Sequence, residues 1–327
     1  MKTARVLLAA TVSALLGAGC AQVDSSTGPP SAVTAAAGAP VDQRASGAPT
    51  GVAVRFDSAR AWEHLQRQVD LGPRPSGSPA LVKTRQYIVD QLQAIGLETR
   101  QQPFLARTPA GDVSMANVIA VIPGRRADRI AVASHFDTKI ARNFRFVGAN
   151  DGASSTAALI ELGRVLKARP HEFTIELLFL DGEEAVNWEW RGDDNTYGSR
   201  HYVDAARRAG TLTGLRALVL LDMIGDRRLT IRRDSNSTPW LVDIIWAAAA
   251  LLGHRDIFSN EITTIDDDHV PFLRAGVPAA DVIDLDNPTW HTADDTLDHV
   301  APASLQIVGD VVVAALPEIE RYVATKL

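Results

Sequence analysis

The stretch Phe173-Thr-Ile-Glu-Leu-Leu-Phe-Leu180 runs directly into Asp181-Gly-Glu-Glu184. A nearly unbroken apolar run of this length reads as a strand covered on both faces, because a strand with one wet face would alternate. Working outward, similar short runs rich in β-branched residues occupy 117–122, 129–134 and 215–221. Helical spacing of apolar residues fills the intervals at 56–69, 81–95, 154–167, 199–209, 240–252 and 303–323. Helices alternating with continuous apolar strands predict a three-layer α/β sandwich with a mostly parallel central sheet. Ligands of such sheets bind beyond the carboxyl ends of the strands.

Those ends carry the chemistry. Ser134-His135-Phe136-Asp137 follows one strand, Glu183-Glu184 a second, and Asp222 a third. Gly148-Ala-Asn-Asp151-Gly152 opens a helix, and Trp290-His291 follows the last strand region. A single carboxylate after a strand is usually a helix cap, and a single histidine usually a packed one. Five nitrogen and oxygen donors converging on one sheet edge are not explained by capping. Cys20 is the only cysteine. An imidazole and carboxylate set without thiolates points to a catalytic zinc site, not a structural Cys-rich one. The adjacent glutamates fit two roles, since neighbouring side chains of an extended or turn segment point different ways. One can bind metal while the other keeps its basicity.

The ordered set His135-x-Asp137, Asp151, Glu183-Glu184, Asp222 and His291, with the Gly72-Pro-Arg-Pro-Ser-Gly-Ser78 turn, resembles the co-catalytic zinc aminopeptidase and glutaminyl cyclase superfamily over nearly all of 56–325. The resemblance implies a zinc aminopeptidase-like fold and Zn2+ as cofactor. It makes His135 and Asp222 ligands of one metal position, Glu184 and His291 ligands of the other, and Asp151 the bridge. Asp137 would orient His135, and Glu183 would be the general acid/base.

Several segments are similar to the glutaminyl cyclase branch: 145–149 before Asp151, Asn195-Thr-Tyr-Gly-Ser-Arg-His201, and Ile265-Asp-Asp-Asp-His-Val-Pro-Phe272. The branch implies an active-site hydrogen-bonding role for Asp267, with Asp268 the alternative one residue on, and a partnership of Asp222 and Asp267 with Glu183. It implies a substrate wall at Trp290, with Trp188 or Trp190 as a second tryptophan. A cyclase phenylalanine expected just before Trp290 is replaced by Leu285-Asp-Asn-Pro288. Two activities therefore stand: a glutaminyl-peptide cyclotransferase with one functional zinc, or a dizinc aminopeptidase. Both take peptides with a free amino terminus. A non-catalytic binding module is the third, weaker reading, since no ligand or acid/base is missing.

Composition narrows the rest. With 46% hydrophobic and 22% charged residues the 327-residue chain is ordinary globular protein. A net charge of −6 offers no basic field for a nucleic acid. No strained Gly-x-Ser-x-Gly turn and no glycine-rich nucleotide loop after a strand is present. Residues 1–20 read as a signal peptide: Lys2 and Arg5, an apolar run of 6–18, then Leu-Gly-Ala-Gly before Cys20. The pattern resembles a lipoprotein signal acylated at Cys20; a simple secretory signal is the alternative. Of residues 21–50, 22 are Ala, Gly, Ser, Pro or Thr, a composition that makes a flexible linker. The catalytic domain is expected over 51–327, exported to a periplasmic or extracellular face.

Overall fold

The computed structural model describes residues 54–327. The signal peptide expected over 1–20 and the linker expected over 21–50 lie outside the described residues. The elements follow in the order α1 (Ser58–Asp70), α2 (Pro79–Ala94), β1 (Glu98–Thr108), β2 (Gly111–Ile122), β3 (Arg126–His135), α3 (Ala153–Lys167), β4 (Phe173–Leu180), α4 (Tyr197–Arg208), β5 (Leu215–Asp222), β6 (Ile231–Asp234), α5 (Pro239–Leu251), β7 (Phe258–Thr263), α6 (His269–Arg274), β8 (Ala279–Ile283) and α7 (Pro302–Ala324).

The apolar runs become strands because both of their faces find cover. Six strands form one sheet in the order β1-β2-β4-β3-β5-β8. β3, β4, β5 and β8 are parallel, while β2 joins β4, and β1 joins β2, antiparallel. Along β4, Ile175, Leu177 and Phe179 pack into the core shared with α1, α3, α5 and α7. Leu178 and Leu180 point the other way, toward Tyr202 and Val203 of α4 and Phe272 of α6. The expected three layers follow from this alternation. Glu176, the one charge inside β4, is buried and pairs with Arg129 at 3.1 Å.

Helix starts agree with the side chains that cap them. Asp57 accepts the Ala59 amide at the head of α1, and Ser78 accepts the Leu81 amide at the head of α2, where Pro79 opens the first turn. α7 is long and apolar enough to cross a membrane by length and composition, yet half of its most apolar stretch is buried, and it packs on α1, α3 and α5.

Register sets the carboxyl edge. His135 pairs with Leu180, and Asp222 with Ile283. The last residues of β3 and β5 and the loops after β4 and β8 therefore come together at one end of the sheet. β1, with Pro103 in its middle, was not expected as a strand; it sits at the sheet edge, where a missing N–H is tolerated. The two-stranded sheet of β6 and β7 and the short α6 were also not expected.

Gly309 of α7 lies against Phe56: a Cβ there would stand 2.5–2.6 Å from the ring. Alanine would favour the helix by about 1 kcal/mol, whereas overpacking costs about 1–3 kcal/mol. Gly309→Ala should therefore lower Tm despite the better helix former; a rise in Tm would show that Phe56 yields freely.

Candidate metal centre

The sheet edge delivers the donors to one place. His135 is the last residue of β3, Asp222 the last of β5, and Asp151 lies in the turn before α3. Glu183 and Glu184 occupy the turn after β4, and His291 the loop after β8. His135 Nε2 lies 3.0 Å from Asp222 Oδ1 and 3.3 Å from Asp151 Oδ1. His291 Nε2 lies 3.1 Å from Glu184 Oε1 and 3.3 Å from Asp151 Oδ2. Each oxygen of Asp151 thus faces a different histidine. Two clusters result, His135–Asp151–Asp222 and Asp151–Glu184–His291, each with donor atoms within 4.8 Å of one another.

The backbone around these side chains is tightly held. Asp137 Oδ1 accepts the Glu183 amide at 3.1 Å and lies 3.5 Å from His135 Nδ1; its Oδ2 accepts the Glu184 amide at 3.2 Å. Asp137 therefore clamps the double-glutamate turn as well as facing the histidine. Asp295 does the same for the bridge: its two oxygens accept the amides of Asn150 (2.6 Å) and Asp151 (3.0 Å). Gly152 adopts φ +82°, and a Cβ there would stand 2.6 Å from the Asp137 carbonyl oxygen, so the turn after Asp151 requires glycine. Met223 (φ 45°), His291 (φ 52°) and Thr196 (φ 44°) are the non-glycine residues with positive φ among those described. All three border the site: they follow Asp222, belong to the cluster, and donate an amide to the Glu183 carbonyl (2.8 Å), respectively. Such strain persists where surrounding contacts over-determine it.

The electrostatics favour a cation. Asp151, Glu184 and Asp222 are buried with His135, His291 is half-buried, and Asp151 Oδ2 and Glu184 Oε2 accept no hydrogen bond. Burial alone would raise Asp151, but His135 and His291 hold it below the usual carboxylate range. Burial likewise opposes a charged His291, yet Asp151 and Glu184 outweigh it and push the imidazole up to about 10. Burial raises Glu183 well above the usual carboxylate range; His135 opposes this, while Glu184, Asp267 and Asp268 add to it. A dense set of buried carboxylates with free lone pairs suits a divalent metal ion. Lys139, missed in the sequence, is buried 3.4 Å from Glu184 Oε2 and donates to the Ala185 carbonyl at 3.1 Å.

A cavity of about 520 Å³ opens beside the clusters, lined by Glu183, Glu184, Asp267, Trp188, Trp290 and His291 among others. Trp188 is 51% and Trp290 45% exposed, so neither is a core residue. Their rings lie 5.7 Å and 4.5 Å from that of His291. Trp190 also reaches the cavity, and Leu285 lines it in the segment that lacks the phenylalanine. Both Asp267 and Asp268 are buried; Asp267 lines this space, whereas Asp268 accepts from Ser199 Oγ at 2.5 Å. The partnership of Asp222 and Asp267 with Glu183 takes a different form from the one implied. Asp222 Oδ1 is engaged by His135 and the Met223 amide (2.7 Å), and Asp267 reaches Glu183 through its charge.

Asp295 escaped sequence reasoning because Asp294-Asp295 looks like a solvated loop; its position four residues after His291 was the available signal. Asp295→Ala should leave two buried amides unpaired, at about 1–3 kcal/mol each, and release Asp151. Metal affinity should fall by about 10–100-fold, read by competition with a chromophoric chelator. Unchanged affinity would show that Asp151 needs no such support.

Comparison with known proteins places this geometry. Residues 117–316 match Peptidase family M28. Glutaminyl-peptide cyclotransferase of Bos taurus is 33% identical over 270 residues, covering 70% of this chain and 74% of that one. The crystal structure of a glutaminyl cyclase from an Acidobacteriales bacterium is similar with a TM-score of 0.79 at 39% identity, over 84% of this chain and 98% of that one. A leucine aminopeptidase precursor from Bacteroides thetaiotaomicron is similar with a TM-score of 0.75 at 28% identity, over 81% and 98%. The match over more than half the chain, together with these relatives, means that the chain belongs to peptidase family M28, in its glutaminyl-peptide cyclotransferase branch.

Proposed function

We propose that the protein is a zinc-dependent glutaminyl-peptide cyclotransferase, converting the amino-terminal glutamine of peptides to pyroglutamate with release of ammonia. The observation that carries the reading is the placement of Glu183 beside, but outside, the Asp151–Glu184–His291 cluster in a cavity walled by Trp188 and Trp290. Zinc fits the donors. A tetrahedral ion with bonds of about 2.0–2.1 Å sets its ligand atoms about 3.3 Å apart; the histidine–carboxylate separations here are 3.0–3.3 Å, and all donor atoms of each cluster lie within 4.8 Å of one another. Asp151, Glu184 and His291 would hold the functional ion, which when bound polarises the side-chain amide carbonyl of the glutamine.

The chain's own residues do the rest. The glutamine's α-amine attacks its own γ-amide carbon, so one C–N bond forms as another breaks and ammonia departs. Attack is intramolecular, and positioning by the two tryptophans supplies much of the rate. Glu183 takes the proton from the attacking amine and returns it to the leaving nitrogen. Its buried, acid-rich surroundings raise its affinity for that proton. Asp137 keeps the two glutamates in their separate directions by holding both amides.

A second reading has an observation in its favour: the His135–Asp151–Asp222 cluster is complete and shares Asp151. His135, Asp151 and Asp222 would then hold a second ion, and the product would be a free amino-terminal residue, as in an aminopeptidase.

One preparation tests these assignments. Glu183→Gln should lose at least about 100-fold in ammonia release from glutaminyl peptides while keeping its zinc. Glu184→Ala and His291→Ala should lose zinc and turnover together. Zinc loss in Glu183→Gln would falsify its role, and free leucine or alanine in place of ammonia would select the peptidase.

The protein is also proposed to work outside the cytoplasm, held at a periplasmic or extracellular face through acylated Cys20. The supporting features are Lys2, Arg5 and the apolar run before that cysteine. Cys20→Ser should move the protein from the membrane fraction to the soluble one; retention on the membrane would rule out the anchor.

A further inference from the structure

Trp188 has two cavities, one on either side. Besides the catalytic cavity it lines a second hollow of about 400 Å³, formed with Ile140, Arg142, Asn143, Phe144 and Val186 among others. Phe144 meets the indole edge to face, with ring centroids 6.1 Å apart at 79°. The indole is therefore a partition between the two spaces.

The sign of charge reverses across it. The catalytic cavity is lined by seven carboxylates and no lysine or arginine. The neighbouring hollow has Arg142 as its only charged lining residue. Arg142 is exposed and makes no ion pair or side-chain hydrogen bond among the described residues. The hollow on the other flank, about 200 Å³ beside Trp190, also contains an arginine, Arg274, but there Asp266 and Asp267 offset it. Of these two arginines, Arg142 is the one with no carboxylate lining its hollow.

We propose that the Arg142 hollow is the subsite for the residues that follow the amino-terminal glutamine, and that Arg142 selects a carboxylate there. The inference rests on the cyclotransferase reading of the adjoining cavity. With the glutamine beside Glu183, an extended peptide advances about 3.3 Å per residue, so two further residues span a separation like that between Trp188 and Phe144. The third residue reaches the hollow. Its methylenes meet Phe144 and Ile140, and a terminal carboxylate meets the guanidinium, whose planar fork matches it. Because Arg142 is solvated, the preference is modest, about two- to fivefold, and screened by salt.

The test uses C-terminally amidated Gln-Ala-Glu, Gln-Ala-Gln and Gln-Ala-Lys on the zinc-loaded enzyme and on Arg142→Ala and Arg142→Glu. Ammonia release gives kcat/KM, and quenching of tryptophan fluorescence gives binding in parallel. Wild type should rank Glu above Gln above Lys, by about two- to fivefold in total, with the order fading at high salt. Arg142→Ala should level the series and Arg142→Glu should invert it, while Gln-Ala-Gln is turned over at an unchanged rate by all three proteins. Non-amidated Gln-Ala against its amide shows whether a chain-terminal carboxylate serves as well as a side chain. Ammonia release with the same peptide order in all three proteins overturns the subsite and leaves the reaction standing. An order that follows Arg142 in binding, without ammonia from any peptide, keeps the subsite and overturns the reaction. Binding that ignores Arg142, together with no ammonia from any peptide, overturns both.

Discussion

Asp151 is the carboxylate on which the site depends. Its Oδ1 and Oδ2 face different histidines at the same 3.3 Å, and it is the one residue common to both donor clusters. A buried carboxylate between two others cannot be stable without positive charge; no arginine makes an ion pair with either cluster, and the buried Arg74, spent on the Val147 and Gly148 carbonyls, acts on Asp151 only through its charge. The fold supplies a lysine at the far oxygen of Glu184 and two imidazoles. The remaining deficit is what suits the edge to a metal ion, in contrast to the arginine-paired carboxylate Glu176 in the same sheet.

Holding that carboxylate in place falls to peptide groups. Asp137 and Asp295 each spend both oxygens on consecutive amides, of Glu183 and Glu184 in one case and of Asn150 and Asp151 in the other. Two loops from different strands are thereby fixed by the same device, an acid accepting a pair of N–H groups. The positive φ angles of Met223 and His291 complete the frame, since they turn the chain sharply next to Asp222 and at His291 itself. Rigid parallel strands bring the loops together to within a few ångströms, and these local bonds set the final donor separations.

The part legible in the sequence is the part whose physics is local and periodic. β4 reads from its apolar run, and its boundaries are the ones the structure shows, because burial on both faces keeps all but Thr174 and Glu176 apolar. The five donors read as a group because each ends a strand or lies in the loop that follows one. β1 was illegible: an edge strand needs neither apolar faces nor a full set of N–H groups, so Glu98–Thr108 is mostly polar and contains Pro103. Asp295 and Lys139 were illegible for a different reason. Their roles depend on contacts across 144 or 145 residues and across 45 residues of chain, respectively, and nothing in their immediate neighbours marks them as buried.

The aromatic residues show how a distinction between adjoining spaces arises from so few parts. Phe146, Trp188 and Trp290 all meet the His291 ring, and Phe144 backs Trp188 from outside. This wall is apolar, so it neither competes for the metal nor neutralises the carboxylates behind it. It lowers the local dielectric on the acidic side, where the proton transfer proposed for Glu183 would gain from exclusion of water. On the other side it leaves Arg142 in solvent, where the selection proposed for it would act without disturbing the chemistry. The proposed selectivity and catalysis would then be separated by the thickness of one indole, and the two could be altered independently only because that ring carries no charge of its own.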